Sequence, residues 1–290
     1  MIGIVLALFS ALVYSLSAVL TKRRLNRTNF TSAALITVVT GNVVIWPLAL
    51  LSTNLGTVSL EGLLFFAIAG ILTPGIARLV YFKGIEVVGV SVNASIIATY
   101  PMYISILAVL FLGETLTPEN WIGLICIMAS VVCIERSLST PKIGPKGIFK
   151  KGLVFPLLAT LTNTFSFILR KHALNICNTP LFGVAIGYSS SLLVFLIVSI
   201  SSHTMRSSMF SSRDFRFFWK AGAGISLGYI LTFLALSQEK VSIVTPLIET
   251  QPLFVLVFAH LYLKELEHIS FKLVISALLV IIGVMLVTIP

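Results

Sequence analysis

The sequence predicts an all-α membrane protein of ten transmembrane helices, built as two inverted five-helix repeats. Three observations carry that prediction. Hydrophobic residues fill 57% of 290 positions and charged residues only 10%, with mean hydropathy +1.05, whereas soluble domains carry roughly 25% charged residues. The charges gather in short stretches between apolar runs, such as Lys22, Arg23, Arg24 and Arg27, or Lys142, Lys146, Lys150 and Lys151, as membrane loops do. Finally, the chain matches itself at a nearly constant offset.

The apolar runs cover about 2–20, 31–51, 61–81, 90–112, 119–134, 151–170, 181–200, 217–237, 242–263 and 271–289, most of them close to the ~20 residues that cross a ~30 Å hydrocarbon core. The first lacks a preceding basic stretch and is long enough to span, so it reads as a mature helix rather than a cleaved leader. The fifth has a start signal: Thr117 caps free N–H groups, Pro118 suits the first helical position, and Glu119 complements the helix dipole. Ser270 can cap the tenth in the same way. Loops are short apart from a polar connector near 135–150, which leaves no room for a soluble domain. The expected units are residues 1–137, a connector 138–150, and residues 151–290.

The internal match has two parts. At a shift of 149, nine of 24 positions between residues 3–26 and 152–175 are identical, including Ser17/Ser166, Lys22/Lys171 and Asn26/Asn175. At a shift of 151, Val90, Ser91, Ile97, Thr99 and Pro101 face Val241, Ser242, Ile248, Thr250 and Pro252, and Glu114 faces Glu265. Biased composition explains matched Leu and Val but not matched Lys, Asn, Pro and Glu. Five crossings are odd, so the second copy enters from the opposite side, and inverted repeats place a solute site near the midplane where they meet.

In its order of motifs the chain resembles the EamA-type, ten-helix members of the drug/metabolite transporter superfamily. The residues that carry the resemblance are Lys22 and Lys171 ending the first helix of each half, and Tyr81, Phe82, Gly84 and Ile85 with Phe233 to Leu236 ending the third. Pro101 and Pro252 follow in the fourth helix of each half, then Leu112-Gly113-Glu114 and Leu263-Lys264-Glu265 before the fifth. Lys264 departs from the family's Gly, and Tyr100 and Gln251 stand where a Glu often precedes the proline. The resemblance therefore implies fold and transport rather than a substrate.

An ionisable group at membrane depth costs roughly 2.5–3.5 kcal/mol on insertion scales and faces a cavity or partner. Glu249 is the clearest case, on a helical face with Thr245, Pro252, Leu256 and His260, and Arg78 is its nearest candidate counter-charge. Pro101 and Pro252 each free a carbonyl and kink their helices. Tyr14 and its repeat mate Asn163, with Asn42, Trp46, Asn93, Tyr100, Tyr103, Tyr188 and Tyr229, complete the expected substrate-binding lining. The glycines at 70, 75, 222, 224 and 228 let helices approach closely.

No HExxH or Walker sequence occurs, so the expectation is no enzyme, no metal and no cofactor. A structural role is expected for the three cysteines. The formal charge of +10 is expected to meet anionic lipid rather than nucleic acid. The function expected is a secondary transporter, an exporter of small polar or amphipathic metabolites such as amino acids, in the plasma membrane. Its partners are the metabolite, membrane lipid and a coupling proton or cation, and a homodimer is compatible. The alternatives are a carrier of phosphorylated or nucleotide-linked solutes and a non-transport scaffold. Odd-numbered loops hold 17 of the 20 Lys and Arg residues, which places both termini outside the cytoplasm; the resemblance implies the reverse.

Overall fold

The computed structural model describes residues 1–25, 30–138, 152–201, 212–263 and 271–289. They form α1 (Ile2–Leu25), α2 (Phe30–Ser52), α3 (Leu60–Gly70), α4 (Ala77–Val88), α5 (Val90–Ile97), α6 (Tyr100–Leu112) and α7 (Pro118–Leu138) in the first half. The second half holds α8 (Val154–Ile176), α9 (Pro180–Ser201), α10 (Ser212–Gln238), α11 (Val241–Ile248), α12 (Gln251–Leu263) and α13 (Phe271–Val287). These make ten spans, because α3–α4, α5–α6 and α11–α12 are each one interrupted crossing.

Five stretches are long and apolar enough to cross a membrane: Ile2–Leu20, Ala34–Ser52, Leu60–Val88, Pro180–Val198 and Phe218–Gln238. Shorter apolar helices cover Tyr100–Leu112, Pro118–Ile134, Val241–Val255 and Ile275–Val287. The 23 residues of α8 rise about 34 Å, with Asn163, Arg170 and Lys171 diluting their hydropathy. Large apolar side chains such as Leu110 (69% exposed), Phe111 (73%) and Met285 (64%) point outward, which suits lipid and not water.

The fifth span starts as its sequence predicts. The Asn120 amide N–H donates to Thr117 Oγ1 at 3.3 Å, and the Thr117 N–H donates to Asn120 Oδ1 at 2.9 Å. Asn120 Nδ2 also donates to the carbonyls of Val287 at 3.1 Å and Ile289 at 2.9 Å, tying the start of α7 to the end of α13. Ser270 lies outside the described residues.

Two spans outrun their predicted limits furthest. The third continues to Val88 through a π-turn at Ile71–Ile76, where Thr73 is extended at φ −144, ψ 122 beside Pro74. The sixth continues to Ile176 because its charges are satisfied by protein. Lys171 Nζ donates to the carbonyls of Leu236 at 2.8 Å and Glu239 at 2.9 Å, covering the free C-terminal carbonyls of α10.

The halves interdigitate. α1 packs on α10, α11 and α12, whereas α8 packs on α3, α4, α5 and α6; α2 meets α9 and α10, and α9 meets α2 and α3. Each relation is repeated with the halves exchanged, as a two-fold axis between repeats requires. One buried cluster, including Val38, Phe66, Phe167, Phe233 and Leu247, runs through both halves. α7 and α13 pack on each other at the side, around Leu124, Ile127 and Val287.

One face of the bundle carries both termini and the even loops. Here Gly113, at φ 66, ends α6 in the left-handed region that glycine adopts without strain. The chain then turns so that the Glu114 carboxylate accepts the N–H groups of Val241 at 2.8 Å and Ser242 at 3.1 Å, together with the Ser242 hydroxyl. The free N-terminus of α11 is thereby capped by a loop from the other half. Lys240 Nζ adds a bond to the Thr115 carbonyl at 2.6 Å.

Candidate functional site

The fourth and ninth spans break at equivalent places. In the fourth, Ala98 and Thr99 tighten to ψ −12 and −8, and Pro101 follows within the first turn of α6. In the ninth, Glu249 tightens to ψ −1 as α11 ends, and Pro252 follows within the first turn of α12. Each proline lacks the N–H that would pair the carbonyl four residues earlier, those of Ile97 and Ile248, and both isoleucines line the main cavity. The interruption at Glu249 means that the Thr245–His260 stripe is not one continuous helical face; the side chains of Leu256 and His260 lie outside those described.

That cavity, of about 360 Å³, is walled by six spans, three from each half. α1 contributes Tyr14 and Ala18, α8 contributes Asn163, Phe167 and Arg170, and the third and eighth spans contribute Thr73, Arg78 and Tyr229 among others. The broken spans add Tyr100 and Glu249. Tyr14 and Ala18 fall opposite Asn163 and Phe167 in the sequence match, so the wall obeys the repeat. Ala18, Arg78, Tyr81 and Ile97 sit in the parts of their spans toward the odd-loop face, and Phe167, Arg170, Tyr229 and Thr232 in the parts toward the termini face, so the cavity lies near mid-span.

The chemistry inside is concentrated. The Tyr100 hydroxyl donates to Glu249 Oε1 at 2.7 Å, a charge-assisted bond that holds the carboxylate at the break. The Tyr100 ring stacks on Phe167 with centroids 5.7 Å apart. Arg170 is 2% exposed; its Nη2 donates to the Thr73 carbonyl at 2.5 Å, an acceptor turned out of the helix by the break at Pro74. Its guanidinium lies over Phe167, Tyr229 and Phe233, 4.9, 5.3 and 5.4 Å from their centroids, which cation–π attraction favours. Arg78 donates to Thr37 Oγ1 at 3.1 Å and faces the same cavity. Among the described residues no group of His, Cys, Asp or Glu could hold a metal ion.

Of the residues expected to line the site, Glu249, Tyr100, Tyr14, Asn163 and Tyr229 are brought together here. The others are placed elsewhere, for definite reasons. Asn42 and Trp46 join α2 to α9, Trp46 Nε1 donating to Ser189 Oγ and Ser189 Oγ to Asn42 Oδ1, both at 2.9 Å. Asn93 is fully buried and donates to the Tyr81 carbonyl at 3.2 Å, pinning α5 to α4. Tyr188 is buried at a small void behind Arg170, and Tyr103 is 44% exposed on the outer surface. Arg170 escaped the sequence reading because, followed by Lys171 and His172, it read as the end of a span. Its seven-residue spacing from Asn163, with Phe167 between them, was the available signal.

A ten-span bundle of inverted repeats closed around a shared polar cavity defines a multi-pass membrane transporter. The chain belongs to the EamA-like transporter family, of the drug/metabolite transporter superfamily, which matches it twice, over residues 1–136 and 150–289. It is 25% identical over 292 aligned positions to an uncharacterized transporter of Archaeoglobus fulgidus, covering all of this chain and 99% of that one. A solved crystal structure shares the fold with a TM-score of 0.82 at 12% identity, over 99% of this chain and 98% of the other.

Proposed function

We propose that the protein is a plasma-membrane secondary transporter that exports a small polar or amphipathic metabolite carrying an amine, with amino acids and their relatives as the substrate class. The observation that carries this reading is the Glu249–Tyr100 pair, held at a helix interruption inside a cavity shared by both repeats. Beside the Tyr100 hydroxyl, Glu249 takes the solute's ammonium group in one half of the cycle and a coupling proton in the other. The volume, about 360 Å³, falls in the ~300–1,000 Å³ range of small-molecule sites.

The two-fold arrangement supplies the mechanism. With the Glu114 cap engaged, the loop after α6 and the start of α11 are joined on the termini face, which closes the cavity on that side. Rocking one repeat against the other exchanges the two accesses around a fixed midplane site. Arg78 and Arg170 give some support to a second reading, a carrier of phosphorylated solutes, but Glu249 in the same cavity repels a dianion.

The test is transport by purified protein in liposomes, with labelled amino acids and amines under imposed proton or sodium gradients. Glu249→Gln is expected to lower transport about 10- to 100-fold, the value of a charged hydrogen-bonding partner. If the wild type moves no metabolite from a broad panel under any gradient, the proposal fails.

A further inference from the structure

We propose that Arg78 is the gate residue of the odd-loop face: its bond to Thr37 draws the third span toward α2, and it makes and breaks as the cavity closes and opens on that side. The inference rests on the carrier reading for its purpose and adds the contact that governs access.

The repeats correspond span for span, so α2 and the third span of the first half answer to α9 and α10 of the second. The two pairs are in different states. α9 and α10 pack directly, and the rings of Tyr188 and Tyr229 meet edge to face with centroids 5.2 Å apart. Among the described residues α2 packs instead on α9 and α10, and α4 on α5 and α8. What crosses from α4 to α2 is a side chain, Arg78 Nη1 donating to Thr37 Oγ1 at 3.1 Å. The Thr37 hydroxyl donates its own proton to the Ala34 carbonyl at 2.7 Å, so its oxygen is turned to accept.

Tyr188 and Tyr229 lie in the parts of their helices toward the termini face, where the Glu114 carboxylate also takes the Val241 and Ser242 N–H groups. Arg78 and Thr37 lie toward the odd-loop face. Arg78 has space on two sides, because it lines both the main cavity and a branch of about 200 Å³ that runs along α4 from Pro74 to Phe82. Its position is therefore set by a charge-assisted hydrogen bond rather than by packing. Inverted repeats that hold one equivalent pair packed and the other parted reverse their access when the pairs exchange states. In that exchange α2 and the third span come together while α9 and α10 part, and the Arg78–Thr37 bond is the first contact of the closing pair.

The experiment is double electron–electron resonance on the whole chain in lipid nanodiscs, with its three cysteines replaced and spin labels at two pairs of exposed sites. Lys83→Cys on α4 with Phe215→Cys on α10, which carries α2, reads the odd-loop face; Asn178→Cys with Gln238→Cys reads the termini face. The parent is expected to show two odd-face distances. Arg78→Ala and Thr37→Val should each raise the ratio of long to short odd-face distance about tenfold or more, the value of a hydrogen bond to a charged group, while the termini-face pair keeps its short distance. Combined, they should do no more than either alone, since both remove one contact, and Thr37→Ser, which keeps the hydroxyl, should match the parent. Glu114→Ala should lengthen the termini-face pair instead. A single odd-face distance in the parent overturns the assignment, and that measurement needs no gate variant to fold. Variants that leave the ratio unchanged, or that broaden both pairs alike as a merely structural residue would, overturn it too. No solute enters this measurement, so a failure of transport in liposomes would strike the carrier reading and leave the gate result standing.

Discussion

The two helix interruptions are the same device used for different ends. Both tighten one turn, both put a proline two residues into the next helix, and both set an isoleucine against the cavity. Yet the fourth span presents Ala98 and Tyr100 where the ninth presents Glu249 and Gln251. The first helices of the halves diverge in the same way, Ala18 falling opposite Phe167. Duplication preserved the backbone geometry of the two breaks, and side-chain divergence made the shared cavity polar at chosen points.

The strongest way to break this comparison is at the helix crossings. Gly70 and Gly222 sit at corresponding crossings, α3 on α9 and α10 on α2, but an added Cβ would lie 2.2 Å from the Gly187 carbonyl oxygen at the first and 3.0 Å from Thr37 Cα at the second. Gly70→Ala must push backbone from backbone, at the upper end of the ~1–3 kcal/mol that overpacking costs or beyond it. It should sharply reduce folded, monodisperse protein in detergent, with Gly222→Ala losing less; equal thermal midpoints would show the two crossings to be equivalent.

Next in size is Tyr100→Phe, which removes the donor to Glu249 and has no counterpart at Gln251→Ala. A hydrogen bond to a charged group contributes about 1.5–3 kcal/mol, so the apparent KM for an amine-bearing substrate should rise roughly tenfold or more. An unchanged KM would separate the carboxylate's role from its tyrosine.

Smaller still is Glu114→Ala. It uncaps the Val241 and Ser242 N–H groups at about 0.5–2 kcal/mol, which a lowered thermal midpoint would register. Smallest is Tyr103→Ala on the outer surface, expected to stay within about 0.5 kcal/mol and to leave transport unchanged; a large loss there would place part of the site outside the cavity.

The ten spans, the start of α7 at Thr117–Asn120 and the paired prolines were legible in the sequence, because hydropathy, capping chemistry and proline geometry are local properties. The cavity was legible only in part. Glu249 was visible as a lone acid in an apolar run, and Tyr14 and Asn163 as polar mates in the repeat. Asn42, Trp46, Asn93 and Tyr188 carry the same polar or aromatic character but point into interfaces between helices, and nothing in their own segments distinguishes the two environments. Arg170 was hidden by the opposite error, a basic residue near the end of an apolar run having every local mark of an interface.

By itself, then, the sequence determined that the chain crosses the membrane ten times, that it is a duplication, and that an odd number of crossings inverts the second copy. Only the tertiary structure decided which polar groups share a space. α1 packs against α10, α11 and α12, and α8 against α3 to α6, so the cavity is walled by residues of both halves, Tyr100 and Glu249 standing 149 positions apart. The environment of Arg170 depends on a carbonyl that the break at Thr73 and Pro74 turns toward it from the other repeat. Burial of a charge depends on neighbours in space, and for Arg170 they come from both halves, Thr73 from the first and Phe167, Tyr229 and Phe233 from the second.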